Sequence, residues 1–267
     1  MVAAIQADDV SYRYGQHLAV DNLSLSVENG EFFAILGPNG AGKTTFLNML
    51  MTVTVPQAGR IAITGHDVVS ETAAVRRALG VVFQDPALDD RLTARENLDI
   101  HAVLYALPKQ DRRSAVDQAL AWAELDEVQS RPVRTFSGGM KRRLELARAL
   151  MHKPSVLLLD EPTIGLDPQG RRHLWERIAS LRAEGMTVLM TTHNLIEAEA
   201  CDRVGIIDSG KIVAIGTPAE LIAAQGDAAK TLEDVFINLT GRQLFDDSAT
   251  GRDRLLSFGR QGGEFTR

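Results

Sequence analysis

The chain has 267 residues, of which 45% are hydrophobic and 24% are charged, and this composition excludes an intrinsically disordered protein. Its formal net charge of −6 and sequence pI of about 5.6 exclude the basic charge of a general nucleic-acid binder, so we expect no nucleic-acid partner. The single cysteine, Cys201, cannot form an intramolecular disulfide, which indicates a reducing compartment. No apolar run is long enough to span a bilayer and residues 1–9 lack a secretory signal, so we expect an intracellular protein.

The N-terminal part of the chain is predicted to form β-strands and then a glycine loop. Apolar and polar residues alternate in residues 2–36, and within this range the run Phe32–Leu36 predicts a buried strand. Residues 43–52 have the pattern of a helix entered from the glycine loop, and residues 59–65 predict another strand.

The middle of the chain alternates between short apolar runs and helical patterns. Residues 80–83, 155–159 and 186–191 predict buried strands, and the helical patterns between them predict a mainly parallel sheet covered on both faces. Residues 94–131 interrupt this alternation with two helical stretches around Pro108. We therefore expect an inserted helical subdomain.

The C-terminal part beyond residue 226 has one amphipathic segment, Leu232–Leu239, followed by a tail rich in Gly, Arg and Asp that begins at Gly241. We expect about the last 20 residues to be mobile or ordered by a partner. The tail has three open interpretations: regulation, contact with another subunit, or no function.

A phosphate-binding loop is the strongest chemical signal in the sequence. A buried strand and a helix flank the pattern G-x-x-x-x-G-K-[ST], formed by Gly37, Pro38, Asn39, Gly40, Ala41, Gly42, Lys43, Thr44 and Thr45. Glycines let backbone N–H groups surround a triphosphate. Lys43 would supply positive charge to the β- and γ-phosphates, and the Thr44 hydroxyl is placed to bind Mg²⁺.

Two adjacent acidic residues, Asp160 and Glu161, follow the buried strand at residues 155–159. The carboxyl end of a central parallel strand faces the crevice in which α/β sheets bind ligands, so both carboxylates are expected near the same phosphates. We assign Asp160 to Mg²⁺, held through water, and Glu161 to the orientation or deprotonation of the attacking water.

A third motif precedes the acidic pair and consists of Phe136, Ser137, Gly138, Gly139 and Met140. Together with the glycine loop and the acidic pair, it gives the motif order of ABC ATPases, and the chain resembles this family over most of its length. The resemblance implies that Ser137, Gly138 and Gly139, called the signature segment below, cap the γ-phosphate bound by the opposite subunit. Phe136 and Met140 stand where the family usually has leucine and glutamine.

The same resemblance implies functions for four further side chains. Gln84 resembles the glutamine that contacts the metal or its water and follows movement of the helical subdomain. His193 resembles the histidine that contacts the γ-phosphate, and Asp167 belongs to a loop expected to cross a dimer boundary. Tyr14 resembles the aromatic residue that stacks on adenine, with Tyr12 as its rival and core packing as the alternative interpretation.

The implied fold is an α/β P-loop NTPase of the RecA-like type. It has a mainly parallel core sheet, an N-terminal antiparallel β-subdomain and an inserted helical subdomain. We expect an ABC ATPase domain in residues 1–225, with the helical subdomain at about 94–135, and an extension with one helix in residues 226–267.

The implied function is that of an ATPase that dimerises around two ATP molecules with Mg²⁺ and powers a separate transmembrane permease. Because no half of the site is degenerate, we expect a homodimer, held by its permease at the cytoplasmic face of the membrane through a surface near Asp85–Leu98. The exporter resemblance comes from residues 136–143 together with Leu232–Phe236 and Leu239–Arg242, which resemble ATPases of bacterial drug-resistance and polysaccharide exporters. It favours export of a drug, lipid or polysaccharide. The alternatives are a non-transport ABC ATPase and a nucleotide-binding regulator without turnover.

Overall fold

The computed structural model describes residues 3–241, in which ten strands form two sheets. The strands are β1 (Ile5–Tyr14), β2 (His17–Val27), β3 (Phe32–Leu36), β4 (Ala58–Ile63), β5 (His66–Asp67), β6 (Leu79–Val82), β7 (Val156–Asp160), β8 (Thr187–Thr192), β9 (Arg203–Asp208) and β10 (Lys211–Gly216). The α-helices are α1 (Lys43–Leu50), α2 (Thr72–Ala78), α3 (Ala94–Leu104), α4 (Lys109–Ala123), α5 (Gly138–Leu150), α6 (Pro168–Ala183), α7 (Leu195–Glu199), α8 (Pro218–Ala223) and α9 (Leu232–Thr240).

The two sheets differ in strand direction. The first has four strands in the order β2-β1-β4-β5, all paired antiparallel. The second has six strands in the order β10-β9-β3-β8-β7-β6, of which only the edge strand β10 runs antiparallel to its neighbour. The mainly parallel core sheet and the antiparallel N-terminal sheet predicted from the sequence are therefore confirmed.

The register of the parallel sheet brings the ends of its central strands to one edge. Strand β3 is buried along its whole length, as its continuous apolar sequence predicts for a strand covered on both faces. Its last residue, Leu36, pairs with Thr192 of β8, and Thr191 pairs with Asp160 of β7. Three chain segments that follow these strands consequently leave the sheet side by side.

Three apolar clusters hold the fold together. The first lies between the antiparallel sheet and the parallel sheet and includes α1, with Phe33 and Phe46 among its fully buried side chains. The second covers the other face of the parallel sheet with α6 and α9 and includes Phe236. The third joins α3, α4 and α5. Burial of one aromatic or aliphatic side chain in such a cluster contributes about 1.5–3 kcal/mol.

The helical stretch predicted around Pro108 is present as α3 and α4. Helix α3 begins with a capping box, in which Thr93 and Glu96 bond each other's backbone N–H groups, and Pro108 precedes α4. Both helices pack on α5 through the third cluster. The definition of this part as a separate subdomain stays a prediction.

Several elements were not predicted individually, among them the β9–β10 hairpin, the short strand β5 and helix α8. Predicted and observed strand limits differ by one residue or a few; residues 80–83, for example, correspond to Leu79–Val82. The predicted segment 232–239 is α9, and the tail after Gly241 lies outside the described residues. Within residues 3–241, no helix has the length and apolar character needed to cross a bilayer.

Candidate functional site

The glycine loop at residues 37–45 requires glycine at two of its positions, Gly37 and Gly42. At Gly37 a Cβ would lie 2.4 Å from the carbonyl oxygen of Ile207. At Gly42 φ is 106° and a Cβ would lie 2.3 Å from the carbonyl oxygen of Ala19, so both backbone strain and contact exclude a side chain. The local sequence therefore sets a backbone path close to the ends of β3 and β8.

Backbone hydrogen bonds anchor both sides of this loop. The Gly37 N–H donates to the Thr192 carbonyl at 3.2 Å, which ties the loop to the end of β8. The Gly210 N–H, in the β9–β10 turn, donates to the Ala41 carbonyl at 2.9 Å. The loop is thus held by strands distant in sequence.

The start of α1 at Lys43 has no capping side chain, because its N-cap residue is Gly42. By contrast, Thr93, Ser137 and Asp167 accept hydrogen bonds from the first turns of α3, α5 and α6. The uncapped first turn leaves the positive end of the helix dipole without a side-chain acceptor, a suitable environment for an anion. The Thr44 side chain is exposed at this position.

Lys43 is the buried cation of the loop, with only 5% of its surface exposed. Its Nζ donates to the carbonyl oxygens of Gly37 at 2.7 Å and Pro38 at 3.2 Å. It also forms an ion pair with Glu161 Oε1 at 3.1 Å. The ammonium group is therefore aimed into the loop by its own backbone.

Glu161 occupies a strained backbone conformation, with φ of 46° in the left-handed region, which costs about 1–2 kcal/mol for a non-glycine residue. Its N–H donates to the carbonyl and hydroxyl oxygens of Thr191, both at 3.2 Å. Its second carboxylate oxygen accepts a hydrogen bond from His193 Nδ1. Burial alone would raise the pKa of Glu161, but the hydrogen bond from His193 and the charge of Lys43 outweigh burial and lower it.

Asp160, the last residue of β7, is also buried. Its Oδ1 accepts a hydrogen bond from the Thr191 hydroxyl at 2.6 Å. Burial raises the pKa of Asp160, with the negative charge of Glu161 acting in the same direction and the hydrogen bond from Thr191 opposing it. The structure thus brings Lys43, Asp160, Glu161 and His193 to one edge of the sheet.

The signature segment lies elsewhere on the chain. Ser137 is the exposed N-cap residue of α5 and accepts a hydrogen bond from the Met140 N–H at 3.2 Å. Gly138 lies beside Gly165, whose carbonyl oxygen is 3.7 Å from the position of a Cβ at Gly138. Among the hydrogen bonds and ion pairs of residues 3–241, none joins the signature segment to the glycine loop. Asp167 is exposed and caps α6 by accepting from the Gly170 N–H at 2.7 Å.

The remaining predicted residues lie at the borders of the site. Gln84 is exposed two residues after the end of β6. Tyr14 is 50% exposed at the end of β1, and its ring makes an edge contact with Tyr12 at 4.8 Å between centroids. Tyr12 is partly buried against the first apolar cluster. The exposed ring of Tyr14 is thus the better placed of the two for stacking on a planar ligand.

Sequence reasoning missed polar residues that support the site. Glu197 is buried and accepts hydrogen bonds from the hydroxyl groups of Thr163 and Thr192, the latter at 2.6 Å. Arg142 of α5 contacts the chain next to Glu161. A charged residue on the apolar face of a predicted helix is the signal that could have identified Arg142, which lies four residues before Leu146.

Cys201 is buried, and its thiol donates to the Glu197 carbonyl oxygen at 3.4 Å. Burial raises the pKa of the Cys201 thiol far above its ordinary value. A thiol in this state is a poor nucleophile, which indicates a structural residue.

A protein-only metal cage is absent from the described part of the chain, where no group of three or more His, Cys, Asp and Glu side chains could hold a metal ion. The donor set at the sheet edge, a carboxylate from Asp160 and the exposed Thr44 hydroxyl, has hard oxygen atoms. Such a set fits Mg²⁺, which usually takes one or two protein oxygens and completes its shell with phosphates and water.

The glycine loop connects a central parallel strand to an uncapped helix, and a buried lysine and two carboxylates lie at the same edge of the sheet. These features define the class of protein: the fold is that of a P-loop nucleotide-binding ATPase. The chain belongs to the ABC transporter family, whose model matches residues 20–164.

Two similar proteins are named for resistance or export. A daunorubicin resistance ATP-binding protein of Streptomyces coeruleorubidus is 46% identical over 84% of this chain and 71% of its own length. A Nod factor export ATP-binding protein of Burkholderia thailandensis is 48% identical over 84% of this chain and 74% of its own length. The recognition of an ABC ATPase that resembles exporter ATPases is confirmed.

Two solved structures of ABC ATP-binding proteins are similar in fold to this chain. An ATP-binding subunit of an ABC transporter has a TM-score of 0.80 and 29% identity and covers 88% of this chain and 99% of its own. A dimeric ATP-binding cassette in a post-hydrolysis state, bound to ADP and Pi, has a TM-score of 0.72 and 29% identity. The match covers 80% of this chain and 98% of that structure's chain. The predicted fold class and ATPase activity are therefore confirmed for the family to which the chain belongs.

Proposed function

We propose that two copies of this chain clamp two ATP molecules and use their hydrolysis to drive export through a separate membrane permease. The observation that carries the proposal is the contact of Glu161 with both Lys43 and His193 at the edge where the glycine loop leaves β3. A base, a phosphate-binding cation and a hydrogen-bonding partner of the base thus meet at one point.

Each of these side chains has a separate task. Lys43 and the loop N–H groups hold the phosphates. Glu161 is ionised at neutral pH, since its pKa lies below the ordinary value of a glutamate, and the carboxylate form is the one that can accept a proton from water; His193 holds this carboxylate in place. Thr44, Asp160 and Gln84 are the residues that would bind Mg²⁺ directly or through water. Bound Mg²⁺ would neutralise phosphate charge.

The second copy supplies what one copy lacks. The signature segment is exposed at the start of α5, where N–H groups and the helix dipole suit an anion. Because it makes no hydrogen bond or ion pair with the glycine loop of its own chain among the described residues, we assign it to the γ-phosphate held by the partner. Asp167 would lie at the same boundary. The dimeric ATP-binding cassette among the similar structures supports this arrangement.

The permease would dock on the helical part of the chain. Ile100, Val103 and Leu104 are exposed apolar residues at helical spacing on α3, just beyond the region Asp85–Leu98 that was expected from the sequence. Relatives named for drug resistance and Nod factor export support transport outwards. The chain would then lie on the cytoplasmic face of the membrane, held by its permease.

The test is Glu161→Gln in the full chain, with Glu199→Gln, an exposed glutamate at the end of α7, as the matched control. We expect Glu161→Gln to reduce phosphate release from ATP by about 10²- to 10⁴-fold, because a general base contributes that much. ATP binding should persist, and light scattering should show an ATP-dependent dimer. The control should retain wild-type turnover.

Two results would overturn the proposal. Wild-type phosphate release at the same background level as that of Glu161→Gln would identify a nucleotide-binding regulator without turnover. A variant that binds ATP and stays monomeric at all protein concentrations would exclude the homodimeric clamp.

A further inference from the structure

Arg142 is a buried charge on the helix that carries the signature segment. It lies in α5, five residues after Ser137, and only 6% of its surface is exposed. Leu146 and Ala149, on the same side of the helix, are buried as well. A guanidinium group on the buried side of a helix requires polar partners.

These partners are backbone carbonyls on two loops of the active site. Arg142 Nε donates to the Pro162 carbonyl at 2.8 Å, and Nη2 lies 3.5 Å from the carbonyl oxygens of Asp160 and Glu161. Nη1 donates to the carbonyl of Phe83, the residue before Gln84. One planar group thus joins the segment that holds the base to the segment that holds Gln84.

Glu145, one turn further along α5, completes the connection. It is fully buried, and one carboxylate oxygen accepts from the Ala87 N–H at 2.7 Å, three residues after Gln84. The other oxygen pairs with Arg142 Nη1 at 3.2 Å. Arg148 donates to the Ala87 carbonyl, so both backbone groups of that residue are bonded to α5.

The pair is not explained by stability alone. Burial lowers the pKa of Arg142 and raises the pKa of Glu145, because removal from water disfavours both charged forms. The attraction between the two charges opposes this effect of burial. Well-packed apolar residues in place of a buried ion pair are often neutral or stabilising. A pair of this kind serves better to fix one arrangement of the groups around it.

We propose that Arg142 and Glu145 are positioning residues that transmit the position of the signature segment to Glu161 and Gln84 of the same chain. The inference rests on the proposed function, in which the signature segment contacts the partner's nucleotide. Because α5 begins at that contact and bonds the two loops of its own site, closure of one site sets the geometry of the other. Hydrolysis at the two sites is thereby coupled.

The test is Arg142→Lys in the purified full chain. Lysine keeps the charge that faces Glu145 but lacks the planar fork that reaches both loops. Arg143→Gln is the control, because Arg143 is the next residue of the same helix and pairs at 2.8 Å with Glu124, whose side chain is half exposed. We measure ATP affinity, kcat, KM, the Hill coefficient for ATP and the unfolding midpoint.

We expect Arg142→Lys to lower kcat by about 10- to 100-fold with KM and ATP affinity within about threefold of wild type, since misplacement by about 1 Å has that cost. Any cooperativity between sites seen in the wild type should fall to a Hill coefficient of about 1. Arg143→Gln should match wild type. If Arg142→Lys does not fold, Glu145→Gln, which keeps an acceptor for the Ala87 N–H, replaces it with the same expectations.

Unchanged kcat in a folded Arg142→Lys variant would overturn this inference and leave the proposed function intact. In a variant that folds, a loss of kcat matched by an equal loss of ATP affinity would do the same, because a merely structural role predicts that pattern. Absence of wild-type turnover above that of Glu161→Gln would instead remove the proposed function, and this inference with it.

Discussion

Replacement of His101 by glutamine is expected to remove one contribution to the loss of stability in acid. His101 lies on α3, with its ring stacked on Tyr105 at 4.3 Å between centroids. Its Nε2 is 3.4 Å from His152 Nδ1, while the other nitrogen of His152 bonds the Leu79 carbonyl. Burial, together with the nearby charges of Arg148 and His152, lowers the pKa of His101 from 6.5 to about 3.

The direction in which stability changes with pH follows from the pKa values of His101 in the unfolded and folded chain. The unfolded chain takes up a proton on His101 below pH 6.5, whereas the folded chain does so only near pH 3. The stabilising effect of the neutral ring is therefore complete above pH 6.5 and declines as pH falls from 6.5 towards 3. Between pH 7 and pH 5, proton uptake by the unfolded state alone lowers the free energy of unfolding by about 2 kcal/mol.

Urea unfolding of the wild type, His101→Gln and His17→Gln at pH 7 and pH 5 measures this effect. His17 is exposed on β2, so its replacement controls for the loss of an ordinary histidine. The free-energy difference between wild type and His101→Gln should shrink by about 2 kcal/mol on acidification. A difference that stays constant between the two pH values would refute the assignment of acid sensitivity to this ring.

Three further substitutions test the geometry around the glycine loop and the acidic strand. Gly42→Ala should destabilise the chain by about 3–4 kcal/mol through left-handed strain and the contact with Ala19, whereas Gly40→Ala, with open space around it, should cost only about 1–2 kcal/mol. Urea unfolding measures the loss in free energy of unfolding for each of these two variants. Equal losses would contradict the proposed contact with Ala19. Thr191→Val, which removes the donor to Asp160, should lower the free energy of unfolding by about 1.5–3 kcal/mol, and a neutral result would show that this hydrogen bond is not needed.

The local motifs were predictable because their geometry depends on neighbouring residues. The glycine loop needs residues without Cβ next to a strand end and a helix start, and the sequence from Phe32 to Thr45 contains all three features in order. Apolar runs of strand length likewise predict β3, β7 and β8. Helix α3 is preceded by Thr93 with Glu96 three residues later, a local signal that the structure uses as a capping box.

Tertiary structure decided the contacts between residues far apart in the chain. The resemblance favours Tyr14 over its rival Tyr12, and the packing of the first cluster, which partly buries Tyr12 and leaves Tyr14 exposed, is visible only in the folded chain. The β9–β10 hairpin turns through Ser209 and Gly210, both with positive φ, and its contact with the glycine loop through Gly210 joins segments far apart in the sequence. Such partners are set by strand order, which periodicity along one segment does not specify.

The sequence alone was sufficient to predict that Lys43, Asp160, Glu161 and His193 lie at one edge of the sheet, since each follows or adjoins a strand that a parallel α/β sheet aligns there. Only the tertiary structure showed that Arg142 spans the two loops beside them. The reason is physical: a buried charge is tolerated where carbonyl oxygens from separate segments converge, and that convergence exists only once the chain has folded.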